Sequence, residues 1–199
     1  MTEAAPSTEH IENRSLKTLL EQISRATLGA AVPERSDATG PETVDPRTKH
    51  VVFELADAQY AVPMNNVREL QRLPRITALP NVPDWVSGVT NLRGDVLSVV
   101  DLRTLLGMPA AQSAASQRLI VVCSTREEIT TGWIVDRLVG LRGITPEELK
   151  PCSTLMTGSA VSFLNGIVER DGRLIAVLDV NRVLSSPEMR QFEPTWQEA

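Results

Sequence analysis

The 199-residue chain is poor in the side chains that most enzymes rely on. Its two histidines, His10 and His50, both precede the part rich in β-branched runs. A Ser-His or Cys-His nucleophile pair therefore has no base inside that part. The two cysteines, Cys123 and Cys152, fall in no CxxC and have no histidine nearby, so neither a zinc site nor a redox pair is indicated. Both read as reduced core residues. Aromatic residues are 4% of the chain, and Trp85, Trp133 and Trp196 are not interleaved with basic residues, so there is no base-stacking platform. Trp85 and Trp133 are expected to pack in the core, and Trp196, in a polar tail, to be loosely held. No apolar run approaches the ~18 residues of a membrane span, and the first residues lack the basic start and apolar stretch of a signal peptide. The chain is expected to stay in the cytoplasm. GxSxG, GxxxxGK[ST] and GxGxxG are all absent, which leaves no nucleophile elbow, phosphate loop or dinucleotide fingerprint.

What is present suits a packed globular protein: 42% apolar and 23% charged residues. The net charge of −5 is spread without a basic block, which argues against nucleic acid as a partner. From Val51 onward there are 14 basic residues, 13 of them Arg. Arg suits bidentate pairing with carboxylates at protein interfaces. The carboxylate pairs Glu127-Glu128 and Glu147-Glu148 lie in polar turn stretches, and sequence neighbours diverge, so both pairs read as solvated surface.

Residues 1–28 form a tail in which Ile11, Leu16, Leu19, Leu20, Ile23 and Leu28 recur at helical spacing, predicting one amphipathic helix over about 11–28. Residues 29–50, with Pro33, Gly40, Pro41 and Pro46 among polar residues, read as a flexible linker. A lone helix of this length is marginal in water, so its stripe is expected to dock on its own domain or on a partner. From residue 51 to 187 the pattern changes to short β-branched runs cut by turn residues, with short helical pieces at 65–70, 102–106, 146–149 and 180–184. Residues 188–199 read as a C-terminal tail.

An internal repeat organises the β-rich part. GVTNLRG at 88–94 leads through Leu97 and Val99 to Asp101, Leu102 and Leu106; GIVERDG at 166–172 leads through Ile175 and Val177 to Asp179, Val180 and Leu184, each landmark displaced by 78 positions. Asp171-Gly172 between apolar strands predicts a type I′ hairpin turn, and Arg93-Gly94 should do the same. Asp101 and Asp179 each end a strand and open a helical turn, where a carboxylate accepts free backbone amides. The hairpins VVFELADAQYAVPM and RLIVVCSTREEITTGWIV are expected to begin the respective halves. An all-β fold of two small barrels of about five strands each follows, and periodicity does not say how the strands are shared between them. An acid/base couple formed by Asp101 and Asp179 is the enzymatic alternative, and a small-barrel nucleic-acid module is the other.

The stretch PDWVSGVTNLRG at 83–94, followed by a β-run and Val100-Asp101-Leu102-Arg103, resembles the CheW family of chemotaxis coupling proteins. The resemblance runs from about Val51 to Leu184. It includes Val67-Arg-Glu69-Leu, Trp133-Ile-Val-Asp136 and the closing NGIVERDGRLIAVLDVNRVL. It implies two SH3-like five-stranded β-barrels with a hydrophobic groove between them, no catalysis and no cofactor. It also implies a bridge from chemoreceptor cytoplasmic tips to the regulatory domain of a CheA-type histidine kinase, within membrane-associated arrays. Residue by residue, Arg93 matches the family's signature arginine, and Val67 and Glu69 match positions tied to receptor or kinase contact. Gly88, Asn91 and Gly94 complete the motif, and Val135, Asp136 and Val139 match a second-half hairpin that affects coupling. The bland alternative is turns for the glycines, a turn hydrogen bond for Asn91 and core for the valines. Arg93-Gly94-Asp95 is an accidental RGD triplet in this setting. The tail of about 50 residues departs from the family pattern, leaving flagellar chemotaxis and a parallel system such as twitching motility both open.

Overall fold

A computed structural model of the chain describes residues 49–109, 116–126, 128–152 and 159–190. The amphipathic helix expected over 11–28, the linker up to residue 48 and Trp196 lie outside the described residues. The described residues form ten strands: β1 (Lys49–Leu55), β2 (Ala58–Pro63), β3 (Val67–Arg72), β4 (Val86–Leu92), β5 (Asp95–Asp101), β6 (Arg118–Cys123), β7 (Thr130–Val135), β8 (Arg137–Gly143), β9 (Leu164–Arg170) and β10 (Arg173–Leu178). Helical structure among them is short: α1 (Leu102–Leu105), α2 (Val180–Leu184), α3 (Pro187–Arg190) and three 3-10 turns. The first strand begins two residues before the expected boundary, because Lys49 and His50 find partners in Gly143 and Arg142 of β8.

The strands make two five-stranded sheets, ordered β3-β6-β7-β5-β4 and β8-β1-β2-β10-β9. Adding five to each number in the first order, with counting returning to one after ten, yields the second, so the repeat read from the sequence is a repeat of topology. The parallel pairs match as well, β5 with β7 and β10 with β2. How the strands are shared between the lobes, which periodicity left open, does not follow chain order, however. The hairpin β1–β2 does not join β3–β5, and β6–β7 does not join β8–β10; the two hairpins are exchanged between the lobes. Sequence order does not record such an exchange, because each hairpin has the same alternating pattern and fits either place. Lobe 1 below means β3–β7, and lobe 2 means β1, β2 and β8–β10.

Alternation along the exchanged strands explains why the lobes adhere. On β1, Val51, Phe53 and Leu55 face one way and Val52 the other; on β6, Ile120 and Val122 face one way and Leu119 and Val121 the other. The first set of each strand enters one apolar cluster that draws residues from both lobes, among them Tyr60, Leu102, Trp133 and Leu178. The second sets form a private cluster in each lobe, around Val52 and Val177 in lobe 2 and around Val99 and Val121 in lobe 1. Strands buried on both faces read as unbroken apolar runs, which is how VVF and LIVV appear in the sequence. Trp133 is fully buried, and Trp85 is half-buried against the shared cluster. Cys123 and Cys152 are free thiols, half-buried rather than in the core as expected, and burial pushes the Cys152 thiol pKa up.

Two expected local readings need correction. Residues 65–70 are not helical: a 3-10 turn over Met64–Asn66 gives way to β3. Along VRELQR the half-buried positions are Val67, Glu69 and Gln71, and Leu70 is exposed, so polar side chains hold the inward face and no apolar alternation marks the strand. Glu148 is not simply solvated, since its carboxylate accepts from the Thr145 amide at 2.8 Å and pairs with Arg170. The turns and caps agree with their residues. Arg93-Gly94 has φ of 55° and 103°, and Asp171-Gly172 has 51° and 68°, all positive as a type I′ connection requires. Asp101 accepts from the Thr104 amide at 3.2 Å, and Asp179 from the Arg182 amide at 3.1 Å.

Candidate protein-interaction surface

The nine residues singled out in the sequence fall into three places. The first is a corner of lobe 1. Asn91 closes the β4–β5 turn by accepting the Gly94 amide at 3.1 Å, and that turn holds Arg93 out into solvent. The Arg93 guanidinium reaches Glu69 Oε2 on β3 at 3.0 Å, with the arginine side chain 79% exposed and the glutamate 26%. β3 and β4 lie at opposite ends of the sheet order, so this ion pair spans the seam where the sheet curls back on itself. Val67 sits at the start of β3, where the register with β6 shifts before Glu69, and it is half-buried against the shared cluster.

Gly88 marks the second place. The chain after β3 crosses β4 through a bridge between Thr77 and Val89, with amide-to-carbonyl distances of 2.8 and 2.9 Å. A Cβ on Gly88 would lie 2.1 Å from the Thr77 carbonyl oxygen, and the residue has φ of +132°. Only glycine permits that crossing.

The third place is the junction of the lobes. Val135 is fully buried in the shared cluster, and Val139 is half-buried against the private cluster of lobe 2. Asp136 accepts two hydrogen bonds on Oδ2, from the Ala56 amide of the β1–β2 turn and from Arg103 Nη1 of α1, both at 2.8 Å. Its amide also donates to the Glu54 carbonyl at 3.1 Å. Asp136 therefore ties the exchanged hairpin of lobe 2 to the helix of lobe 1, and its Oδ1 is buried without a partner among the described residues. Asn66 holds the corresponding position in the other lobe, donating to the Cys123 carbonyl at 2.9 Å.

Beside the Arg93 corner lies a groove of about 860 Å³; the resemblance implies a hydrophobic groove between the barrels but names none of the residues that line it. β4 and β5 form one wall through Val89 and Val96, Trp85 and Ile129 contribute further apolar surface, and Leu184 and Met189 close it from lobe 2. Two carboxylates, Asp95 and Glu128, stand on its lining, which contains no Lys or Arg among the described residues. Val96 is 68% exposed, an apolar side chain facing water from a strand. Its signal in the sequence was the pairs Val96-Leu97 and Val99-Val100, which put apolar residues on both faces of β5.

The chain as a whole is similar to known proteins. The family model for the CheW-like domain matches residues 49–188. The chain belongs to the CheW-like family. Among curated relatives, Protein FrzA of Myxococcus xanthus is 31% identical over 147 residues, covering 73% of this chain and 90% of the relative. The probable chemotaxis protein CheW of Rhizobium etli is 30% identical, covering 69% and 88%. The crystal structure of the scaffolding protein TtCheW from Thermoanaerobacter tengcongensis superposes with a TM-score of 0.64 at 26% identity, covering 71% of this chain and 95% of that one. The matched region takes in both lobes, so the exchanged topology belongs to the CheW-like domain itself. The protein is an adaptor of the chemotaxis coupling type, and the nucleic-acid reading is set aside.

Proposed function

We propose that the chain couples chemoreceptors to a CheA-type histidine kinase, working through surfaces and not through a reactive side chain, in the cytoplasm beneath a receptor array. The two lobes stand as the SH3-like barrels of the family. The apolar groove between them takes a helix from the cytoplasmic tip of a receptor, and the second partner is the regulatory domain of the kinase. Arg93, Glu69, Val67, Asn91, Gly88 and Gly94 shape the contact corner. Val135, Asp136 and Val139 act one step behind it by holding the lobes in register.

The observation that supports this reading is the placement of Arg93. A long cation is held out on a rigid type I′ turn beside an apolar groove, with one carboxylate partner and most of its surface free. An exposed pair of this kind contributes about 0–1 kcal/mol to stability, so folding alone gives little reason for an arginine held out at this turn, and contact with a partner gives one. Charge reversal separates the two roles. Arg93→Glu is expected to cut receptor-dependent kinase control in a reconstituted array by at least about tenfold, equal to ~1.4 kcal/mol of contact energy. Combining it with Glu69→Arg restores the internal pair but should not restore control. Full recovery in the double variant would make the pair structural and remove Arg93 from the interface.

A further inference from the structure

We infer, resting on the receptor reading of the groove, that Asn181 is a positioning residue for that contact: from α2 it clasps the β6–β7 turn and so sets the spacing between the two sides that a receptor helix must enter. The clasp is direct. Asn181 Oδ1 accepts from Ser124 Oγ at 2.9 Å and from the Thr125 amide at 3.0 Å, and its Nδ2 donates to Thr125 Oγ1 at 3.1 Å. The same turn carries Glu128 and Ile129, which line the groove from lobe 1, and α2 carries Leu184, which lines it from lobe 2. One side-chain amide therefore joins the two sides.

What else holds each end differs. Val180, Val183 and Leu184 sink α2 into the shared cluster, so burial fixes the helix. The turn stands at the surface, with Thr125 and Glu128 exposed. It is braced internally, because the Ser124 amide donates to the Ile129 carbonyl at 2.9 Å and the Arg126 amide donates to Ser124 Oγ at 3.0 Å. Holding Ser124 and Thr125 therefore holds Ile129. The repeat supplies a contrast. Arg103 stands 78 positions before Asn181, in the equivalent place on α1. It reaches the β1–β2 turn through the Asp136 carboxylate, in an ion pair whose side chains are 15% and 21% exposed. Beside the groove the same task falls to a neutral amide at the rim, whose hydrogen bonds water can replace. Such exchange leaves each bond with a small net effect on folding, so its weight falls on where the turn lies. Without the clasp the turn takes several positions, a helix meets a formed groove in part of the population, and apparent affinity falls by that fraction.

The test uses the full chain and a soluble fragment of a chemoreceptor cytoplasmic tip, with affinity measured well below the melting temperature so that every variant is folded. Asn181→Ala is expected to weaken binding about fivefold, as when the groove is formed in about one-fifth of the molecules. Asn181→Asp keeps an oxygen for each donor on the turn and should bind within about twofold of the unaltered chain. An amide with a merely structural role would lower the melting temperature and leave this affinity unchanged. That result, or an Asn181→Asp variant as weak as Asn181→Ala, overturns the inference. Val96→Asp tells the clasp apart from the groove itself. It places a charge on a strand position that is 68% exposed, so the fold tolerates it, and a helix seated in the groove should no longer bind. Unchanged affinity in Asn181→Ala with binding lost in Val96→Asp removes the clasp alone. Unchanged affinity in both removes the receptor reading of the groove along with it.

Discussion

Tyr60 is the single tyrosine of the chain and stands fully buried on β2, opposite Phe53 with ring centroids 6.0 Å apart. Its hydroxyl has no hydrogen-bond partner among the described residues. Burial holds its pKa well above the ordinary 10.0, since a phenolate there would lose its hydration. The sign of the pH effect follows. Below pH 10.0 the phenol is neutral in folded and unfolded chains alike, and its contribution is fully present. Above that value the unfolded chain ionises and the folded one does not, so stability falls as pH rises towards the folded pKa. Because no other tyrosine contributes, phenolate absorbance reports this event directly. It should appear together with loss of β-sheet circular dichroism, and Tyr60→Phe should remove the alkaline slope at a cost under about 1 kcal/mol at neutral pH. A phenolate signal that rises while the sheet signal persists would show the ring to be accessible in the folded state.

Between single residues and the whole lie the strand crossings, and here the two halves of the repeat differ. Gly88 and Gly166 hold equivalent places on β4 and β9, each beside a short bridge, Thr77–Val89 in lobe 1 and Lys150–Ile167 in lobe 2. A Cβ at Gly88 would meet the Thr77 oxygen at 2.1 Å with φ of +132°, whereas at Gly166 the nearest backbone oxygen, that of Lys150, stands at 3.0 Å. Gly88→Ala must therefore displace backbone and adopt a strained conformation, while Gly166→Ala needs only a small yielding of its neighbours. Urea unfolding should show a loss of about 3 kcal/mol or more for the first and about 1–2 kcal/mol for the second. Equal losses would mean that the crossing in lobe 1 relaxes freely. The glycines themselves were legible as landmarks of the repeat. Their unequal tightness was not, because it depends on how closely the segment after β3 lies over β4. The same limit explains why β3 reads as a helical piece: it lies at a sheet end, where a half-exposed face removes the apolar alternation that marks a strand.

At the scale of the molecule, the exchanged hairpins make the lobes interdependent. Each lobe keeps a small private cluster, but Phe53, Tyr60, Ile120, Trp133 and Leu178 all belong to the cluster that both lobes share. Separating the lobes would expose that cluster on both sides, at roughly 1.5–3 kcal/mol for each large side chain returned to water. Calorimetry should therefore show one unfolding transition with equal van't Hoff and calorimetric enthalpies. Val122→Ala in the shared cluster should lower it as a single step by about 1–2 kcal/mol in stability. Two resolved transitions would mean that the lobes are separate cooperative units.

The sequence by itself determined the β character, the duplication, the positive-φ turns at Arg93-Gly94 and Asp171-Gly172, and the helix caps at Asp101 and Asp179. All of these rest on local patterns, on neighbours within a few positions or on a repeat visible along one line. Only the tertiary structure decided which hairpin joins which lobe, that Glu69 meets Arg93 across the seam, that Asp136 ties the lobes together, and which residues line the apolar groove beside β5. Each depends on which of two similar surfaces meet after the chain has closed on itself, and hydrophobic alternation is the same for either pairing.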